Sequence, residues 1–172
     1  MLRWLTRRRS GLTAVACPAG MVEIVDDAHV STNELLLAVR KCPLEIDGTS
    51  DQQMAKVFGP PPVTTVHRFL FEGQGDKEFA GRSPYDLHRS EIVVMNVRER
   101  LMFELRFLEA NGHHPDNEGT ETLCPILSRS GHGARFSWRD GKLWIKWCSA
   151  HHADPMLRAR RAFPVHSHTR SG

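Results

Sequence analysis

Between Gly133 and Cys148 the sequence GARFSWRDGKLWIKWC leaves the chain little freedom. Asp140-Gly141 is a two-residue turn whose positive backbone dihedrals match the twist of paired strands, and polarity alternates on both sides of it with a period of two. Pairing outward from the turn sets Arg139 against Lys142, Trp138 against Leu143, Ser137 against Trp144, Phe136 against Ile145 and Arg135 against Lys146. A slip of one residue would turn every side chain to the wrong face. Phe136, Trp138, Leu143, Ile145 and Trp147 are therefore expected on a core, while Arg135, Arg139, Lys142 and Lys146 surround Trp144 on the other side. Cations around an aromatic plane on a sheet neutralise phosphates and offer a stacking surface to a base. The plainer alternative is a solvent-facing sheet carrying Lys and Arg for solubility.

The rest of the chain supplies partners for this hairpin. A strand is expected at Met21 to Val25 and another from Val63 to Phe71, where polarity alternates but both faces look partly covered. His67 there reads as a hydrogen-bonded core histidine. Ser31 and Glu34 form a capping box ahead of Leu35 to Val39, and Pro43 ends that helix. A second short helix, Gln52 to Phe58, is capped within Asp47 to Asp51 and stopped by Gly59 and Pro60 to Pro62. Two such helices invite comparison with a DNA-reading pair, but Lys56 is a lone cation where several donors are needed. Glu72 to Arg89 is polar and Gly-rich and reads as a loop; Gly73 to Lys77 lacks the spacing of a phosphate loop. A long helix is expected from Ser90 to Ala110, closed by Asn111 and Gly112. Val94, Val97, Leu101, Leu105 and Leu108 hold its apolar stripe, Met95, Met102, Phe103 and Phe107 widen it, and Arg100 and Glu104 pair on its flank.

These elements make an α+β fold: a small antiparallel sheet containing the strand at 63–71 and the hairpin, packed by one long and two short helices, with basic extended termini. The chain of 172 residues suits one domain, expected at 21–150, with a basic arm at 1–20 and a His- and Arg-rich tail at 151–172. Leu35 to Val39 and Ile92 to Met95 are far short of the roughly 20 apolar residues of a membrane span.

Charge is divided along the chain. Residues 1–20 hold four arginines and no acid, residues 21–128 hold ten Lys or Arg against eighteen Asp or Glu, and residues 129–172 hold nine against two. Basic ends on an acidic middle point to a polyanion. Arg3, Arg7, Arg8 and Arg9, with Leu2, Trp4, Leu5 and Leu12 and several hydroxyls, have the composition of a mitochondrial transit segment. The rival readings are a plain basic arm and a bacterial export leader, given the paired arginine, Leu12 to Ala16 and Cys17. For the leader, the apolar stretch is shorter than the roughly 7 to 15 residues required. Arg158, Arg160, Arg161 and Arg170, with His166 and His168, are expected to extend the positive track of the hairpin.

Chemistry is weakly signalled. Cys17, Cys42, Cys124 and Cys148 are too widely spaced for a disulfide scaffold, so reduced thiols are expected. Zinc could be held by Cys124, His132, Cys148 and His151, although only Cys148-x-x-His151 has a common ligand spacing. His113, His114, Asp116 and Glu118 could form an acid–base or metal cluster, but adjacent histidines in an extended loop point apart. The sequence therefore reads as a non-catalytic structural subunit of a large assembly in the mitochondrial matrix, a ribonucleoprotein such as the mitochondrial ribosome, with RNA and protein neighbours and no required cofactor. The RNA-binding residues expected are the four N-terminal arginines, Arg135, Arg139, Lys142, Trp144, Lys146, Arg158, Arg160 and Arg161. The alternatives are an accessory subunit of a mitochondrial respiratory complex, its arms on anionic lipid, and a small metal-dependent hydrolase using His113, His114, Asp116 and Cys148.

Overall fold

The computed structural model describes residues 19–40, 44–46, 58, 63–70, 76–116, 119–125 and 133–165. The fold is α+β, with two sheets in place of the one expected. In the first, β1 (Met21–Asp26) pairs antiparallel with β3 (Thr65–Leu70), which pairs with the short β8 (Phe163–Pro164). The second has the order β2-β6-β5-β4-β7, built from β2 (Leu44–Ile46), β4 (Glu121–Pro125), β5 (Gly133–Arg139), β6 (Lys142–Cys148) and β7 (Leu157–Arg158). The strand at 65–70 and the hairpin thus belong to different sheets. The hairpin register is the expected one at every pair from Arg139–Lys142 to Arg135–Lys146 and continues to Gly133–Cys148, with Asp140 and Gly141 both at positive φ.

Helix α1 (Thr32–Val39) begins at the Ser31–Glu34 capping box, with both reciprocal bonds formed. Two short elements occupy the stretch read as a loop: a 3₁₀ turn at Lys77–Phe79 and helix α2 (Pro84–Arg89). Their cause is local. Ser83 and Asp86 cap each other's backbone and Pro84 fills the first helical position, where its missing N–H costs nothing. The long helix α3 runs from Val97 to Asn111, seven residues shorter at its start than the apolar pattern suggests. Asn96 and Glu99 form its capping box, and Gly112 closes it at positive φ. The preceding Ile92-Val93-Val94-Met95 is rich in β-branched residues and lies extended, with Met95 donating to Arg160 O at 2.8 Å and Ala162 donating to Val93 O at 2.8 Å.

Most apolar side chains meet in one core, drawn from β1, β3, α1, α3 and the inner face of the β4–β5–β6 sheet. A smaller core lies on the opposite face of that sheet, where Phe79 and Leu87 pack with Leu123, Cys148, Leu157 and Ala159. Every residue of α3 from Val97 to Leu105 is buried. The expected flank position of Arg100 and Glu104 is therefore corrected: covered by α1 and both sheets, this part of the helix has no flank. The stretch expected as a tail is also corrected. Leu157, Ala159, Arg160 and Ala162 are buried, and the chain passes from β7 on one sheet to β8 on the other. The proposed helix at 52–58 lies outside the described residues except for Phe58, whose ring stacks on Trp147 at 5.5 Å. Among the described residues no helix is long and apolar enough to cross a membrane.

Candidate nucleic-acid interface

Strand alternation sends Arg135, Ser137, Arg139, Lys142, Trp144 and Lys146 to the side of the hairpin away from the main core. One end of this outer face is covered. Pro84 of α2 sits so close to Gly133 that a Cβ there would lie 3.0 Å from its ring, and Leu87 packs on Leu123 and Cys148. The other end, toward the turn, is open. Arg139 and Lys142 are exposed, Lys146 and Trp144 half-buried. Trp144 is fixed by its indole N–H, which donates to Arg139 O at 3.2 Å, and the Lys146 ammonium lies 4.7 Å from its ring centre. The register places Glu45 of β2 beside Trp144.

The face carries an acid that the hairpin sequence does not contain. Glu121 of β4 sits one step beyond the Thr122–Phe136 pair, opposite Ser137. From there it reaches both diagonal neighbours: Arg139 at 2.5 Å and Arg135 at 3.4 Å. Its side chain is 7% exposed, whereas that of Arg139 is 51% exposed.

The C-terminal arginines do not extend this surface, and the expectation for them is corrected. Arg160 is buried, 3.5 Å from Asp116 and stacked over Phe103. Arg161 bonds Glu78 at 2.5 Å and lies over Phe79. Arg158 is half-buried and in register with Thr122, on the side of the sheet opposite Glu121. Leu157, Ala159 and Ala162 are buried around them, which fixes where these side chains leave the chain. Arg3, Arg7, Arg8, Arg9, Arg170, His166 and His168 lie outside the described residues.

The proposed zinc ligands do not converge. Cys124 is in register with Ala134 and belongs to the main core, whereas Cys148 is in register with Gly133 and belongs to the second core on the reverse of the sheet. Burial pushes both thiols above their ordinary pKa. His151 is exposed and its ring lies 4.9 Å from that of Tyr85; His132 is outside the described residues. No three metal-capable side chains cluster among the described residues.

The histidine cluster is also dispersed, for the reason the loop reading gave. His113 is exposed and packs edge-on to Phe107, while His114 turns inward, bonds Glu104 and stacks on Trp138 at 3.4 Å. Asp116 is buried at φ +60° and accepts bonds from Arg100 at 2.9 Å and Thr122 at 2.5 Å. Glu118 is outside the described residues. These groups form an interior charge network of which the sequence announces only the Arg100–Glu104 pair. Arg100, fully buried, bonds Glu104 at 2.6 Å as well as Asp116. Burial opposes its charge, but the two carboxylates outweigh burial and hold its pKa above the ordinary value. Arg160 is less fully compensated, and burial lowers its pKa. Elsewhere on α3, Arg98 bonds Asp26 at 2.8 Å, Thr32 and the Val30 carbonyl, and Glu99 bonds His67. Beyond the Arg100–Glu104 spacing, the sequence signal for this network is the density of charge in Arg98-Glu99-Arg100 beside an apolar stripe too wide for a one-sided helix.

Comparison with protein-family models, curated proteins and solved structures returns no match.

Proposed function

We propose that the chain is a non-catalytic RNA-binding subunit of a large ribonucleoprotein, and that it contacts RNA through the open end of the outer hairpin face. The observation that carries this is the grouping of Lys142, Lys146 and the half-buried Trp144 on one rigid, fully registered hairpin. Lysines supply charge to phosphates without sequence reading, and an indole plane supplies stacking. The arginine-rich, acid-free start of the sequence supports a mitochondrial assembly such as the mitochondrial ribosome, with the matrix as its compartment.

Titration of the purified chain with single-stranded RNA at several salt concentrations tests the contact. Affinity is expected to fall with salt at a log–log slope of about −0.7 per phosphate engaged, and a K142E/K146E double substitution should weaken binding and flatten that slope. A slope near zero in the unsubstituted chain would remove the reading. Native fractionation with and without ribonuclease tests the assembly: release from a large particle by ribonuclease is the expected result, whereas ribonuclease-resistant migration with respiratory complexes would replace it with the membrane-complex alternative.

A further inference from the structure

Resting on that reading, we infer that Glu121 is a built-in competitor for phosphate, so that the face takes an unpaired RNA strand through Trp144 and Lys146 while Arg135 and Arg139 are withheld. A carboxylate between two guanidinium groups occupies the place that a phosphate would take, because both anions present oxygens to the same planar donors. Glu121 is held there by the fold: β4 is paired on both sides, to β5 and β7. Among the described residues its buried Oε2 makes no hydrogen bond, and its charge is met by the guanidinium of Arg135 at 3.4 Å and by that of Arg139 at 2.5 Å from Oε1. Moving both arginines onto a ligand would strand that carboxylate, which is costly in a buried site. The arginines therefore stay with Glu121.

What this end of the face offers a ligand is the Lys146 charge and the Trp144 plane. Lysine is a point charge that tolerates any phosphate geometry, and a ring offers stacking only to a base that has left a helical stack. In duplex RNA the bases are stacked on one another and a flat sheet meets only backbone, so the indole contributes nothing. A single strand presents its bases; one of them displaces the Lys146 ammonium from the ring, and that ammonium is then free to meet a neighbouring phosphate.

The test uses the full chain, a short mixed-sequence single-stranded RNA and the duplex of the same sequence, followed by fluorescence anisotropy across a salt series. The single strand should bind more tightly than the duplex. Glu121→Gln, close in shape, should tighten binding and steepen the log–log slope by up to about 1.4, or about 0.7 for each arginine released; adding Arg139→Met to it should take back about half of that gain. Glu121→Asp, which keeps the charge and withdraws the carboxylate by one methylene, should give a smaller shift in the same direction. It serves as the second variant if the melting curve of Glu121→Gln shows lost structure. Binding by the unsubstituted chain, with neither Glu121 variant changing slope, overturns the competitor while leaving RNA binding standing. Equal affinity for strand and duplex overturns the unpaired-strand assignment. No binding by the unsubstituted chain or either variant overturns the function itself.

Discussion

At the scale of single residues, charge is used inward as much as outward. His67 is an example in which two opposing effects can be ranked. Its hydrogen bond to Glu99 outweighs the burial that disfavours its charged form, with smaller help from the charges of Glu99 and Asp26, so its pKa lies above the ordinary 6.5. A group raised in this way favours the folded state when protonated. Its contribution is complete below the unfolded value of 6.5 and is lost as pH rises through the higher folded value. Thermal melting is expected to show a component of stability that declines from slightly acidic pH upward, and His67→Gln should abolish that decline. Parallel pH profiles for the two proteins would show that the pair contributes nothing. The sequence reading of His67 as a hydrogen-bonded core histidine is met in the hydrogen bond, while the side chain itself is only partly buried at the edge of the core. Glu99, lying on another element, was not legible as that partner.

Elements show where local sequence rules succeed and where they compete. The Asp140-Gly141 turn and the Ser31–Glu34 box each hold all their information within a few residues, and both were read correctly. Ser83-Pro84-Tyr85-Asp86 and Asn96-Val97-Arg98-Glu99 carry equally good caps, but the first is hidden in a Gly-rich stretch. The second was overrun by an apolar pattern continuing backward through Val94, where β-branched residues favoured an extended chain. Helix α3 is the element in which burial and polarity conflict most. Its interior arginines cannot reach water, so each depends on its carboxylates. Arg100→Met would leave Glu104 and Asp116 without that partner, and such a break in a buried ion pair costs about 3–5 kcal/mol. Urea denaturation should record that loss; a cost below about 1 kcal/mol, the size of an exposed pair, would mean that water reaches the network.

At the scale of the whole molecule, the partition into two sheets was not legible, because it depends on pairings between distant parts of the chain. β2 lies parallel to β6, and nothing within Leu44–Ile46 names that partner. The same limit applies to the candidate interface: its cations and Trp144 were read from the hairpin alone, while Glu121 arrives from β4. The C-terminal stretch was read from its charge as a tail, yet small and apolar residues at Leu157, Ala159 and Ala162 carried the opposite signal. Truncation after Ala150 tests their weight. It removes β7 from one sheet and β8 from the other, together with Arg160 from the interior. The shortened chain is expected to lose cooperative unfolding, as judged by a calorimetric or urea transition. A truncated protein with an unchanged sharp transition would show that these strands are ornamental.

The passage from β7 to β8 also bears on how the chain acquires its shape as it is made. Domains generally fold as units, and here β4 lacks β7 until Leu157–Arg158 have emerged from the exit tunnel and β3 lacks β8 until Phe163–Pro164 have followed. Nascent chains halted before β7 and β8 therefore carry two open sheet margins, and completion of the fold waits for those two strands.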